Sequence, residues 1–334
     1  MTEAGKGIFV ISLDFELHWG VRSRLSLDQY REHLRGVRQV VPALLDLFAQ
    51  YGIHATWATV GFMFFDSREQ LLSALPARRP AYADPKLSPY PELGTIGLDE
   101  SCDPFHFAAS LLRLIAARPG QEIGTHTFSH YYCLEAGQDL DSFRDDLRAA
   151  RQAAARLGVS LESLVFPHNQ FNRQYLEACR QAGIKAFRGN ESSSYYRPRS
   201  RKEESLTHRA LRLLDSYVSL SSHNCASQEE LAHEFPYNIP SSRFLRPYSR
   251  LLGILEPLKR RRILGSLRHA ARHGKVFHLW WHPENFGTHT RKNLSALESI
   301  LREYAALRDE YGMESLNMGE IAARWSAAAA ARTA

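Results

Sequence analysis

The sequence predicts an α/β fold, a single-domain (β/α) barrel of seven or eight units. Short apolar strand patterns alternate with longer helix patterns along the whole chain, which is typical of a parallel sheet covered by helices. Seven or eight such units in 334 residues favour a closed barrel over an open sheet. We assign residues 1–325 to this barrel and predict no second domain.

The predicted strands are short runs of apolar and β-branched residues, as expected for strands buried in a parallel sheet. They cover residues 8–14, 53–59, 122–125, 163–166, 184–187, 216–220, 276–281 and 314–317. The predicted helices cover residues 28–50, 104–117, 140–157, 172–182, 249–273 and 291–311. In the first helix Val37, Val41, Leu44 and Phe48 recur at helical spacing, and Asp28 is placed to cap the N-terminus.

Three segments interrupt the alternation and are predicted to be loop insertions. Residues 75–104 contain six prolines, which favours a lid or a substrate-binding excursion. Residues 190–207 are polar and rich in arginine, and residues 234–248 mix aromatic residues with prolines. Residues 326–334 are rich in alanine and predict a flexible tail.

Composition is that of a globular protein, with 44% hydrophobic and 23% charged residues. The net charge of +6 is modest; it fits an ordinary solvated surface, or affinity for an anionic substrate or membrane face. We expect no nucleic-acid partner. No apolar run reaches the roughly 18 residues of a membrane span, and no signal-peptide pattern is seen. The four scattered cysteines lack metal-binding spacing, so we expect a cytoplasmic protein.

Two histidines, His126 and His130, follow the predicted strand at 122–125. On a helical turn, residues four apart share one face, so these two side chains can bind one divalent cation. Two carboxylates, Asp14 and Glu16, end the first predicted strand and point to the same side of it. Buried like charges repel unless a cation or a proton lies between them, which also favours a metal.

The predicted strand at 276–281 leads into His282, preceded by Trp280 and Trp281. These indoles are candidate walls of a pocket that stacks on a sugar ring. His18 and Trp19 follow the first carboxylates and are candidates for the same pocket. Because active sites of parallel α/β folds lie at the carboxyl ends of the strands, we expect these segments to converge.

These motifs and their order resemble the polysaccharide deacetylase family, carbohydrate esterase family 4. Residues 12–16 (Ser-Leu-Asp-Phe-Glu) are similar to its first motif, and residues 126–130 match the second, His-Ser/Thr-x-x-His. Residues 165–169 are similar to the third motif, and residues 279–282 match the fifth, Leu-x-x-His. The resemblance covers about residues 8–285.

The resemblance implies a deformed (β/α) barrel and a divalent metal, zinc above all, with Co2+, Ni2+ or Fe2+ as alternatives. It also implies hydrolysis of an N-acetyl, less often an O-acetyl, group on a sugar. By position, His126 and His130 are metal ligands. Asp14 is the general base and His282 the general acid.

The sequence departs from the family pattern in three places. Phe15 stands where the family has a metal-binding aspartate, so Glu16 is the candidate third ligand, with exchanged roles for Asp14 and Glu16 as the alternative. The third motif lacks its arginine, for which Arg188 is the candidate replacement. No fourth motif is found, although residues 221–224 (Ser-Ser-His-Asn) stand in its place.

The third motif also supplies candidate substrate-binding residues: Pro167, His168 and Asn169. We add Arg188 to them. The opening Asp-Phe-Glu-Leu-x-Trp-Gly most resembles a bacterial subgroup linked to O-antigen and other surface-polysaccharide biosynthesis. The expected partner is therefore an acetylated sugar, a nucleotide-sugar or a lipid-linked glycan. Its phosphates are candidate ligands of Arg188 and of three further arginines: Arg197, Arg199 and Arg201.

Three alternative functions stay open from the sequence. One is a metal-dependent hydrolase of another C–N bond, in a cyclic imide, a ureide or a formamide. A second is a glycosidase, for which paired carboxylates and aromatic walls would also serve. The third is a non-catalytic, sugar-binding relative of the fold.

Overall fold

The computed structural model describes residues 5–333, in which ten strands form one curled sheet. The strands are β1 (Ile8–Phe15), β2 (Ala55–Thr59), β3 (Gln121–Thr125), β4 (Ser163–Val165), β5 (Ala186–Arg188), β6 (Ala226–Ser227), β7 (Tyr237–Asn238), β8 (Arg243–Phe244), β9 (Lys275–Trp281) and β10 (Glu314–Ser315).

The helices that surround this sheet range from one turn to seven turns in length. They are α1 (Leu27–Tyr51), α2 (Arg68–Ser73), α3 (Ala109–Ala116), α4 (Leu140–Ala155), α5 (Leu176–Gln181), α6 (Leu206–Asp215), α7 (Gln228–Leu231), α8 (Glu256–Arg272), α9 (Thr290–Tyr311) and α10 (Met318–Thr333). Across the described residues, none of these helices is long and apolar enough to cross a membrane.

The sheet is mainly parallel, with the order β6-β9-β1-β2-β3-β4-β5-β7. Residues 237–245 curl it towards a barrel, because this one segment bonds β5 on one side and β9 on the other. Ile239 N donates to Phe187 O at 2.9 Å, and Leu245 N donates to Trp280 O at 2.8 Å. The predicted fold class, a deformed α/β barrel in one domain, is confirmed.

The core forms between the sheet and the helices. On α1 the predicted apolar side chains Val37, Val41, Leu44 and Phe48 are all buried. The N-cap of this helix is Ser26, two residues before the predicted cap, because Ser26 and Gln29 each accept a hydrogen bond from the other's backbone N–H. The prediction of Asp28 as the cap was therefore wrong.

Three other predictions are corrected between β5 and β9. Residues 216–220, predicted as a strand, form a turn after α6, because the buried Asp215 carboxylate accepts Leu220 N–H at 3.1 Å. Residues 234–248, predicted as a loop insertion, contain β7 and β8 and so belong to the sheet. The helix predicted over 249–273 begins only at Glu256, with Pro257 in its first turn.

The other predicted irregular segments differ in outcome. Residues 75–104 hold only short 3-10 turns at 85–87 and 90–92, as the prolines predict. Residues 190–207 are likewise irregular apart from one short turn, until α6 begins at Leu206. The segment predicted as a flexible tail is helical as far as Thr333, as the second half of α10; Ala334 lies outside the described residues.

Two glycines let α1 contact the turn that follows β9 backbone to backbone. A Cβ atom on Gly36 would lie 2.1 Å from Gly287 O, and one on Gly287 would lie 1.9 Å from His33 O. Neither distance is tolerable for real atoms, so this approach requires glycine on both sides. The contact fixes the position of residues 283–287, which follow His282.

We predict that Gly36→Ala lowers the free energy of unfolding by about 1–3 kcal/mol, because the added methyl group separates α1 from this turn. Urea unfolding followed by circular dichroism measures the change. Gly94→Ala is the matched control, because a Cβ at Gly94 meets nothing within 4 Å. Equal stability of the Gly36→Ala variant and the wild type would show that the contact is not close-packed.

Candidate active site

The carboxyl ends of β1, β3 and β9 bring the predicted site residues together. Glu16 directly follows β1, His126 follows β3, and His282 follows β9. Glu16 Oε1 lies 2.8 Å from His126 Nε2, 3.3 Å from His130 Nε2 and 3.6 Å from His282 Nε2. Three histidine side chains thus surround one carboxylate oxygen of Glu16, which is distant from all of them in the sequence.

Glu16, His126 and His130 form a buried donor set that fits a divalent cation. Their ligand atoms lie within 4.8 Å of one another. The short contact between His126 Nε2 and Glu16 Oε1 is not a hydrogen bond, and within residues 5–333 this buried nitrogen has no hydrogen-bond partner. Two imidazoles and one carboxylate are a frequent ligand set of catalytic zinc, which leaves a coordination position open.

The segment from His126 to His130 is a loop and not the helical turn that the spacing predicted. Thr127 has φ 63° and His130 has φ 58°, in the left-handed region that β-branched residues rarely adopt. The Thr127 hydroxyl accepts Tyr131 N–H at 2.7 Å. Both imidazoles still reach Glu16, because the loop folds back on itself instead of continuing as a helix.

Asp146 on α4 holds this loop, and the sequence analysis did not identify it. Its carboxylate accepts Phe128 N–H at 2.6 Å and Ser129 N–H at 3.1 Å, together with the Ser129 hydroxyl. Burial raises the pKa of Asp146 to about 7. An aspartate on the otherwise apolar face of α4, between Phe143 and Ala150, is the sequence signal that would have found it.

Asp14 is bound by Arg188, the residue predicted to replace the missing guanidinium of the third motif. The two guanidinium nitrogens donate to the two carboxylate oxygens at 2.6 and 2.7 Å. Arg188 is fully buried and also donates to Asn169 Oδ1 at 3.0 Å and Ser12 Oγ at 2.9 Å. Burial favours the neutral acid, but Arg188 outweighs it and lowers the pKa of Asp14.

His282 lies between the two carboxylates at the edge of the site. Its Nε2 is 3.9 Å from Asp14 Oδ2 as well as 3.6 Å from Glu16 Oε1, and the Asn285 amide lies 3.3 Å from its Nδ1. Burial opposes protonation, but the charges of Glu16 and Asp14 prevail and raise the pKa of His282 to about 9. Both carboxylates therefore favour the protonated form of the imidazole.

Glu284 supports the backbone beneath Glu16, and it was also missed from the sequence. One of its carboxylate oxygens accepts Glu16 N–H at 3.0 Å and Leu17 N–H at 2.5 Å. Burial and the nearby Glu16 charge raise the pKa of Glu284 to about 7. The signal was its place in the turn that follows His282, two residues beyond the predicted acid.

The site opens into a cleft of about 670 Å3. Among the predicted substrate-binding residues, His168, Asn169 and Trp280 line this cleft. The His168 ring lies 5.5 Å from the His130 ring, and the Trp280 ring lies 4.1 Å from the Arg188 guanidinium. These side chains are placed to contact a molecule bound beside Glu16.

Four other predicted substrate-binding or pocket residues do not line the cleft. Trp281 is fully buried against Phe286, because successive side chains of β9 point to opposite faces of the sheet. Trp19 is buried in the core, and His18 lies against His106, with 3.1 Å between their ring nitrogens. Pro167 is buried beneath the neighbouring His168.

Residues 221–224, which stand in place of the fourth motif, support a buried charge cluster next to the cleft. The Ser221 hydroxyl donates to Asp215 at 2.8 Å and accepts from Arg243 at 2.9 Å. Of these three residues, Asp215 and Arg243 line the cleft. Ser221 therefore supports the wall of the cleft by hydrogen bonding to Asp215 and Arg243.

Residues 28–187 match the model of a family described as Polysaccharide deacetylase. No protein of curated function is significantly similar to the chain. This family match leaves out β1 and the carboxylates at its end, and the part of the chain from residue 188 onward, which contains His282.

Solved structures with a similar fold include a putative polysaccharide deacetylase from Mycobacterium smegmatis, with a TM-score of 0.61 and 15% identity over 98% of this chain and 92% of that one. Puue allantoinase has a TM-score of 0.58 and 12% identity over 98% and 92%. A probable polysaccharide deacetylase from Pseudomonas aeruginosa PAO1 has a TM-score of 0.55 and 13% identity over 95% and 90%. At these identities the likeness shows the fold alone.

We predict that Asp146→Ala costs about 2–4 kcal/mol of unfolding free energy, because two buried backbone N–H groups lose their acceptor. The loop that positions His126 and His130 should also lose its geometry, so bound metal should decrease. Chemical unfolding and elemental analysis measure the two effects. Asp141→Ala, an exposed position on the same helix, is the control, and an equal response of both variants would refute the anchoring role.

Proposed function

We propose that the chain is a metal-dependent hydrolase that removes an acetyl group from a sugar, because residues 28–187 match the model of the family described as Polysaccharide deacetylase. The group removed is N-acetyl or, less often, O-acetyl. The observation that carries this proposal is the convergence of Glu16 Oε1 with the Nε2 atoms of His126 and His130. The fold offers this donor set at the carboxyl ends of its strands, where such barrels hold their active sites.

A divalent cation would be held by Glu16, His126 and His130, and we propose Zn2+, with Co2+, Ni2+ or Fe2+ as alternatives. When bound, such an ion supplies Lewis acidity and a water of lowered pKa. Glu16 suits the ligand role better than Asp14, because Glu16 faces both imidazoles while Asp14 is occupied by Arg188.

Asp14 is the proposed general base. Arg188 keeps its carboxylate ionised at neutral pH and fixes its plane, so the side chain is oriented to accept a proton. The same salt bridge prevents Asp14 from turning towards the histidine pair. Asn169 and Ser12 in turn hold the guanidinium, which makes Arg188 a positioning residue for the base.

His282 is the proposed general acid. The charges of Glu16 and Asp14 favour a proton on its ring. The ring lines the cleft together with both carboxylates. A proton held at Nε2 can be given to the sugar nitrogen as the C–N bond breaks. The release of an amine needs such a donor, because an unprotonated amine anion is a poor leaving group.

We further propose that the substrate belongs to surface-polysaccharide biosynthesis of the O-antigen type and that the protein acts in the cytoplasm. Residues 14–20 support this role through their resemblance to that bacterial subgroup. The acetylated sugar would enter the cleft beside Trp280, whose indole can stack on a pyranose ring.

His130→Ala should remove bound metal and activity together, because it deletes one of three ligands. We expect about one metal ion per purified wild-type chain and almost none in the variant, measured by elemental analysis beside acetate release from N-acetylated sugars. His273→Ala, at an exposed histidine directly after α8, should retain both. Metal retained in the His130→Ala protein would overturn the assignment of this ligand.

His282→Ala should keep the metal and lose turnover, because the proposed ligands are Glu16, His126 and His130. His282 could hold an ion only together with Asp14 and Glu16, and Arg188 occupies Asp14. We expect kcat for acetate release to fall about 10²–10⁴-fold, the usual contribution of a general acid. Metal content measured on the same preparation separates this effect from loss of the site. Full activity of a metal-loaded variant would refute the role of His282 as the acid.

A further inference from the structure

The cleft beside the site is strongly cationic, and two groups of its arginines differ in their partners. Ten of its lining residues are Arg or Lys and five are Asp or Glu. The first group is neutralised within the protein. Arg212 pairs with Glu204, and Arg243 and Arg262 both bind the buried Asp215. These arginines stabilise the wall of the cleft and have little capacity left for a ligand.

The second group has no carboxylate within hydrogen-bonding distance among the described residues. Across residues 5–333, no carboxylate lies within 4 Å of Arg24 or Arg209, and Arg201 reaches only Asp84, at 3.9 Å. One Arg201 guanidinium nitrogen, Nη1, is buried without a hydrogen-bond acceptor. We call these three residues, Arg24, Arg201 and Arg209, the arginine rim.

The arginine rim is assembled from two parts of the chain, Arg24 and the segment 201–209, and its members repel one another. Burial, followed by the charges of Arg201 and Arg209, lowers the pKa of Arg24. Arg24 also donates to His168 Nδ1 at 3.1 Å, which places its guanidinium one side chain away from His130. Unneutralised cations held together beside a catalytic site are stabilised when an anion binds between them.

We propose that the arginine rim binds a phosphate group of the substrate, so that the acetylated sugar enters the cleft as a phosphate ester or diphosphate ester. Guanidinium groups suit this ligand because each can donate two parallel hydrogen bonds to phosphate oxygens. This inference rests on the proposed function for the sugar, but the rim itself is defined without reference to the metal or to turnover.

The structure changes the set of phosphate ligands expected from the sequence. Arg188 is excluded because Asp14 occupies its guanidinium. Arg199 is held by the backbone carbonyls of Arg197 and Ser194. Arg197 lines the cleft and stays a candidate phosphate ligand outside the arginine rim. Arg201 is retained in the arginine rim, and Arg24 and Arg209 are new members.

The phosphate has two possible sources, a soluble sugar nucleotide and a lipid-linked sugar. Next to the arginine rim, Leu206 lines the cleft and is 78% exposed, and Leu214 on the same helix is 47% exposed. Apolar side chains of this kind would contact a lipid carrier, whereas a nucleotide would use the cationic wall alone.

The test is the binding of inorganic pyrophosphate to the full-length protein, measured by isothermal titration calorimetry. Arg24→Ala and Arg209→Ala should each raise Kd about tenfold, because each removes a charge-assisted contact. Arg151→Ala, an exposed helix arginine on α4, is the matched control and should bind as the wild type does. Absence of binding to the wild type, or equal Kd values for all four proteins, would overturn the proposal.

This readout separates the inference from the proposed function. If pyrophosphate binds through the arginine rim but no acetylated sugar releases acetate, the phosphate site stands and the deacetylase proposal fails. If acetate is released from neutral sugars and the rim variants bind pyrophosphate normally, the deacetylase proposal stands and the phosphate site fails. In that case any pyrophosphate bound by the wild type is held elsewhere, for instance at the metal.

Two further titrations identify the source of the phosphate. One uses uridine 5′-diphosphate; the other uses phosphatidylcholine vesicles with and without a polyprenyl phosphate, followed by sedimentation. Tighter binding of the nucleotide than of pyrophosphate, lost in Arg209→Ala, supports a sugar nucleotide. Sedimentation that depends on the polyprenyl phosphate and is lost in Arg209→Ala supports a lipid-linked sugar.

Discussion

The site depends on the burial of two carboxylates, Asp14 and Glu16, at the end of one core strand. Buried negative charges two residues apart are tolerated only when each has its own cationic partner. Arg188, on the distant strand β5, is the cationic partner of Asp14. Glu16 instead faces His126 and His130, with which it could hold a metal ion. The two partners give otherwise similar carboxylates different surroundings, a guanidinium for Asp14 and imidazoles for Glu16.

Around this pair, the protein holds its backbone in conformations that the local sequence does not favour. Thr127, His130, His168 and Asn169 all have positive φ, and all lie within the loops that line the site. Such conformations persist only where surrounding contacts determine them. The Asp146 carboxylate does this for the first loop, and the bond from Arg188 to Asn169 does so for the second. The precision of the site therefore comes from buried polar groups outside it.

The periodic patterns predicted most of the barrel, because in long buried elements such as β1, β9, α1 and α9 the spacing of apolar residues shows which face is buried. The closing segment at 237–245 was not predicted, because its strands are two residues long and have no period to read. The carboxylates, both loop histidines, His282 and the Arg188 partner could be named from motifs. The loop geometry and the supports from Asp146 and Glu284 depend on contacts that no local pattern contains. Trp281 was misassigned although strand alternation already placed it opposite Trp280.

The strand order has a kinetic consequence. β1 is the first strand of the chain, yet it lies between β2 and β9, and its first residues also pair with β10. Loop-closure entropy makes such long-range pairing slow, and on the ribosome β9 emerges only when most of the chain has been made. Until then the edge of β1 is unpaired and Glu16 lacks the turn that carries His282 and Glu284. The candidate site is thus completed late in folding, when the turn that carries His282 and Glu284 joins the end of β1.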